Sequence, residues 1–264
     1  MALHEGNGGP SGVDVAGPRD AQSIVFVHGA MFTRTMWLPQ QRALADGYHV
    51  VAPDLPGHGV FGDEPFRMGA AIERLRRVID AETDGSAVLV GLSLGGYAAT
   101  EYAHRYPGDV DGLVLSGSSA NPVRGLELLT RATGGIARLL TKPDVGKRAV
   151  ERLATRWVRN RDLPPDIETA IVESGFYPKQ FGEAGPEIAG RDFRDALSTY
   201  PGSTLILNGE NDTLMRRGEQ AHAAAAQDGR IEVLSDVGHI CNLHRPETYS
   251  SRVRNFVQRR VPQR

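Results

Sequence analysis

The chain has 264 residues, 40% of them hydrophobic, a formal net charge of -2 and one cysteine, Cys241. That length and apolar content suffice for one large domain with an insertion. The near-neutral balance excludes the global basic field that nucleic acid or an anionic membrane would select, and a single cysteine excludes an intrachain disulfide.

In chain order, residues 1–20 are rich in Gly, Pro and Asp, with Val13 and Val15 as the only hint of a short edge strand. The start MALHEGNGGPSG lacks the basic and apolar stretches of a secretory leader. No apolar run approaches the ~20 residues needed to span a bilayer, so a soluble cytoplasmic protein is expected. Short β-branched runs follow at 23–29, 48–54, 86–91, 111–117, 204–209 and 230–236. Most are apolar throughout, as parallel strands covered on both faces are. Between them, 36–46, 66–81, 94–106, 215–227 and 246–260 carry apolar residues at helical spacing. This alternation predicts an α/β fold with a mostly parallel sheet and helices on both faces. It fails over 119–202, which is helix-like and punctuated by Pro122, Pro143, Pro164, Pro165, Pro178, Pro186 and Pro201. An insert there is expected to cap the carboxyl ends of the strands, where ligands collect in such sheets. The expected division is a core of 1–118 with 203–264, and a helical cap of 119–202.

The chemistry starts at VLVGLSLGGYAA, 88–99, where a buried strand gives way to a small-residue helix at Ser93. Gly91 and Gly95 flank the serine two residues away on each side. A sharp strand-to-helix turn crowds those positions until a Cβ would clash, and it holds the hydroxyl at the positive end of the next helix. A serine so placed is a candidate nucleophile, and it needs a base held by an acid. Asp212 follows the strand at 204–209, and His239 follows the strand at 230–236. Glu210 and Asp236 are rival acids, and His244 is a rival base that also fits the start of the last helix. His28 and His58 read as loop-ordering residues, and Cys241 as a small buried hydrophobe.

Together FVHGA (26–30), PDLPGHG (53–59), GLSLGG (91–96), GEND (209–212) and VGH (237–239) resemble the α/β-hydrolase superfamily across nearly the whole chain. The resemblance implies the α/β-hydrolase fold with a helical cap inserted between two late strands. It implies Ser93 as nucleophile, His239 as proton carrier and Asp212 as the acid that fixes its tautomer. It also implies an oxyanion hole made by the N–H groups of Ala30 and Leu94. Relatives that open epoxides or displace halide use an aspartate where this chain has Ser93, so acyl chemistry is expected instead.

Met31, Phe32, Met36, Trp37, Leu94, Trp157, Phe176 and Tyr177 are candidates for an apolar pocket, although such residues fill cores equally well. Over 121–161 ten basic residues face three acidic ones. That surplus fits an anionic substrate. It fits equally a solvated helix face in a chain whose basic residues are 27 arginines and only three lysines. No zinc-site spacing and no GxxxxGK[ST] loop is present, so neither metal nor cofactor is expected. The expected partner is a small-molecule acyl substrate, with no nucleic acid and no membrane. Ester or lactone hydrolysis leads; thioester hydrolysis, carbon–carbon cleavage, acyl transfer or cyclisation, and a non-hydrolytic receptor on the same fold stay open.

Overall fold

The computed structural model describes residues 12–121, 123, 128, 130–132, 135 and 144–261. Seven strands form one sheet: β1 (Val13–Ala16), β2 (Ser23–Val27), β3 (His49–Pro53), β4 (Ala87–Leu92), β5 (Val110–Ser116), β6 (Ser203–Gly209) and β7 (Asp228–Leu234). Their order is β1-β3-β2-β4-β5-β6-β7. All neighbours are parallel except β1, which pairs antiparallel with β3 at the edge, Val15 opposite Val51.

Period-2 alternation sends successive side chains of the central strands into two separate cores. Ile24, Phe26, Val88, Val90, Leu205 and Leu207 join one layer, while Val25, Val27, Leu89, Leu113 and Ile206 join the other. The first layer is closed by α1 (Leu38–Leu44) and by the C-terminal helix 246–260, through Leu44, Tyr249 and Val253. The second is closed by α2 (Met68–Glu82) and α3 (Leu94–Arg105), through Ile72, Leu75 and Tyr102. Strands apolar on both faces are what this double covering demands.

Between β5 and β6 the described helices are α4 (Asp144–Arg159), α5 (Pro165–Glu173), α6 (Pro178–Ile188) and α7 (Phe193–Ser198). The stretch from α5 to α6 is tied to the loops after β2 and β3. The Tyr177 N–H donates to Met31 O at 3.0 Å, Thr33 Oγ1 to Ser174 Oγ at 2.9 Å, and Gln180 Nε2 to Glu64 O at 3.2 Å. Helix α7 instead packs on α3, with Phe193 against Tyr97. Three helices complete the chain, α8 (Thr213–Ala225), α9 (Cys241–His244) and α10 (Pro246–Arg260). Among the described residues no helix is long and apolar enough to cross a membrane.

The sheet order reverses at β2, whose two neighbours are β3 and β4. A crevice opens at such a switch point beyond the carboxyl ends of the strands. The segment after β2, 28–30, and the segment after β4, 93–94, lie on its two sides.

Candidate active site

Ser93 joins β4 to α3 at φ 56 and ψ -117, a backbone region that L-residues seldom enter. Its glycines are required by contacts. A Cβ on Gly91 would overlap the carbonyl of Gly95, and a Cβ on Gly95 would overlap the carbonyl of Val27 at the end of β2. The second clash is therefore with the neighbouring strand rather than with the other glycine. The Ser93 N–H donates to Ser116 O at 2.7 Å, which anchors the turn to the end of β5.

The loops after β6 and β7 are bonded to each other: Glu210 N–H donates to Leu234 O at 2.8 Å and Asn211 N–H to Val237 O at 2.8 Å. This brings Asp212 to His239, and His239 Nδ1 lies 2.7 Å from Asp212 Oδ2. An ionised carboxylate only accepts, so Nδ1 carries the proton and Nε2 is left as an acceptor. The rival Glu210 is engaged elsewhere, since its carboxylate accepts the Asp236 N–H at 3.0 Å. His244 ends α9.

The His239 ring rests against Gly117, where a Cβ would lie 2.7 Å from Cε1 and 2.9 Å from Nδ1. Gly117 follows Ser116, the residue that accepts the Ser93 N–H, so the ring and the serine share one support. Among the described residues no hydrogen bond joins the Ser93 hydroxyl to His239. Apo sites commonly hold such pairs loosely.

Across the crevice, the carbonyls of 29–31 are all occupied. His28 Nδ1 donates to Gly29 O at 2.9 Å, its Nε2 accepting from Leu55 N–H at 3.0 Å. His58 Nε2 donates to Ala30 O at 2.8 Å, and Tyr177 N–H bonds Met31 O. Burial pushes the pKa of His28 well below the ordinary range, and that of His58 down as well. His28, one of whose nitrogens accepts, is a neutral tether that orders the loop; His58, whose Nδ1 also faces Pro56 O at 3.1 Å, holds the loop from both nitrogens. The Ala30 N–H finds no acceptor among the described residues, and the Leu94 N–H is one of the orphan donors at the start of α3. Gly29 lies against Leu92 and Ser93, which brings the two segments together.

Phe32 and Phe176 meet edge to face at 5.7 Å, with Met31 partly buried beside the same core. Trp157, on α4, is partly buried with the Arg161 guanidinium 4.6 Å over its ring. Trp37 has no exposed surface; it lies in the core between Phe26 and Tyr249, at 4.8 and 5.9 Å. Burial also pushes the Cys241 thiol up to about 12, leaving it a protonated core group. Arg148, Arg152, Arg156 and Arg159 are exposed along one side of α4, beside a cavity of about 530 Å³. Arg124, Arg138 and Lys142 of the basic run lie outside the described residues.

Two features escaped the sequence. Asn208 is fully buried inside β6, and Arg34 bridges the fully buried carboxylate of Asp54 and the half-buried one of Asp14. A polar amide directly after the apolar run Leu205–Leu207 was the available signal for the first, because buried polar groups are hydrogen-bonded.

Comparison with known proteins agrees with this architecture. A pimeloyl-[acyl-carrier protein] methyl ester esterase of Nitrosospira multiformis is 25% identical over 90% of this chain and 95% of its own length. A carboxylesterase of Bacillus subtilis is 24% identical over 94% of this chain and 84% of its own length. The structure of a thermophilic esterase from Thermogutta terrifontis superposes with a TM-score of 0.76 at 24% identity, covering 93% of this chain and 92% of that one, and shares the fold. The model of the alpha/beta hydrolase family matches residues 24–252. With the strand order, the serine turn and that match over most of its length, the chain belongs to the alpha/beta hydrolase family.

Proposed function

We propose that the protein is a serine hydrolase of carboxylic esters, lactones included, and that Ser93, His239 and Asp212 form its catalytic triad. Ser93 Oγ adds to the substrate carbonyl as His239 Nε2 takes the hydroxyl proton. The oxyanion is held by the N–H groups of Ala30 and Leu94, aided by the N-terminal dipole of α3. Collapse expels the alcohol, which takes the proton from His239, and leaves an acyl-serine. Water, deprotonated by His239, adds to the acyl carbonyl; the second collapse releases the acid and returns the proton to Ser93. Asp212 keeps Nδ1 protonated and stabilises the imidazolium.

The observations that carry this reading are a serine held at positive φ with its N–H anchored on Ser116, and, packed on the adjacent Gly117, a histidine whose Nδ1 is bound to a carboxylate. The names of the relatives, an acyl-carrier-protein methyl ester esterase and a carboxylesterase, favour esters over thioesters or carbon–carbon bonds. In this reading α4, α5 and α6 act as the cap, while α7 belongs to the core layer with α3. Met31, Phe32, Phe176 and Trp157 contribute apolar pocket surface.

The test is fluorophosphonate labelling of wild type, Ser93→Ala and His239→Ala, read by intact mass and peptide mapping. One adduct on Ser93, lost in both folded variants, is expected. No adduct on the wild type, or an adduct elsewhere, overturns the reading.

A further inference from the structure

Asn208 is fully buried in β6, on the same face of the strand as the apolar Ile206. Its amide is satisfied on both sides. Oδ1 accepts the Gly117 N–H at 3.0 Å, and Nδ2 donates to Ser119 Oγ at 3.1 Å and to Glu219 Oε2 at 3.2 Å. These partners allow one orientation only, because a flipped amide would turn hydrogens toward the Gly117 N–H and its oxygen toward the Glu219 carboxylate. Glu219 is itself buried, and its second oxygen lies 3.3 Å from the Arg216 guanidinium.

The backbone pairing of β5 with β6 ends at Leu115 opposite Ile206. Beyond that point the Asn208 side chain takes the place of the ladder. The peptide it grips, Ser116–Gly117, has its N–H on Asn208 and its carbonyl on the Ser93 N–H at 2.7 Å. The Cα at the end of that peptide is the surface on which the His239 ring rests. One peptide unit thus connects the amide to the backbone of the serine and to the bed of the imidazole, and hydrogen bonds in series reinforce each other.

We propose that Asn208 is a positioning residue that sets the separation of Ser93 and His239 through the Ser116–Gly117 peptide. The proposal rests on the serine-hydrolase reading above. Without the amide, Gly117 keeps a positive φ with no tether, and the support of the imidazole can drift relative to the serine.

The experiment compares wild type, Asn208→Ala, Asn208→Asp and the exchange Asn208→Asp/Glu219→Gln. Readouts are thermal melting, the rate and pH profile of fluorophosphonate labelling, kcat and KM on a p-nitrophenyl ester, and the downfield Nδ1–H proton resonance of His239. In Asn208→Asp two buried carboxylates oppose each other. In the exchange, the carboxylate introduced at position 208 accepts from both the Gly117 N–H and the amide introduced at position 219. Expected is a fall of about a hundredfold in labelling rate and kcat for Asn208→Ala, with KM little changed, a shifted pH profile and an altered His239 resonance. Recovery to within about tenfold of wild type is expected in the exchange but not in Asn208→Asp alone. A folded Asn208→Ala that labels at the wild-type rate overturns the proposal. So does a folded exchange variant that stays as slow as Asn208→Asp, which decides the matter should Asn208→Ala fail to fold. A wild type with no adduct on Ser93 overturns the hydrolase reading itself, and the proposal with it. A labelled wild type with unaffected variants overturns the role of Asn208 alone.

Discussion

His239 Nδ1 and Asp212 Oδ2 are 2.7 Å apart although they sit on different loops, because those loops are hydrogen-bonded to each other beyond β6 and β7. The carboxylate selects the tautomer that leaves Nε2 unprotonated, as the proposed triad requires of a base. Asp212→Asn offers an amide that can donate to Nδ1 and so favours the opposite tautomer. A fall in kcat of about 10⁴ with near-normal melting is expected. Steady-state ester hydrolysis and a thermal melt on the same preparation check it; retention of activity would move the acid elsewhere.

Ser93 is held at φ 56 and ψ -117, which costs a residue with a side chain about 1–3 kcal/mol. Ser93→Gly relieves that strain while giving back some backbone entropy, for a net gain of about 1 kcal/mol. The variant is expected to be inactive yet more stable than wild type in urea denaturation. Equal or lower stability would count against a strained turn.

His28, His58 and His222 are all buried, and burial is the first cause of a lowered pKa in each. The folded state binds a proton on each less readily than the unfolded chain, which takes protons below its ordinary histidine pKa of about 6.5. Stability is therefore full above that value and declines as the pH falls below it, with a slope of up to about 1.4 kcal/mol per pH unit per histidine. Urea midpoints at about pH 7.5, 6.5 and 5.5 test the sign. His28→Gln should flatten the decline.

Arg34 is ion-paired with Asp54, which is fully buried, and lies 2.9 Å from Asp14. Asp54 also accepts the N–H groups of Arg34 and Val60, at 3.0 and 3.2 Å. Removing the guanidinium in Arg34→Met strands a buried carboxylate, at a cost of about 3–5 kcal/mol. Adding Asp54→Asn should restore part of the loss, as a double-mutant cycle in denaturant would show.

Arg148, Arg152 and Arg156 are exposed and make no ion pair among the described residues. Their reversal to Glu is expected to change stability by about 0.5 kcal/mol or less and to leave neutral-ester kcat/KM unaltered. A carboxylated ester of equal size, assayed at low and high salt, reports any steering by the stripe. A salt-sensitive loss confined to the anion would identify an anionic substrate.

Much of this molecule follows from local pattern. Apolar runs fixed which segments are strands buried on both faces, and the two glycines around Ser93 marked the turn, Gly91 through crowding against Gly95 within the turn itself. Strand ends narrowed the acid to Asp212, Glu210 and Asp236 and the base to His239 and His244; the structure brings Asp212 and His239 together. Periodicity reports which face of an element is apolar, but it does not say what that face meets. Trp37, a pocket candidate by composition, is stacked in the core between Phe26 and Tyr249, and Gly95 is required by β2 instead of by Gly91. The same holds for Asn208, whose partners Gly117 and Ser119 are 91 and 89 residues away in the chain. Only the parallel alignment of β5 and β6 places that amide at the end of the ladder, where it replaces a missing backbone bond.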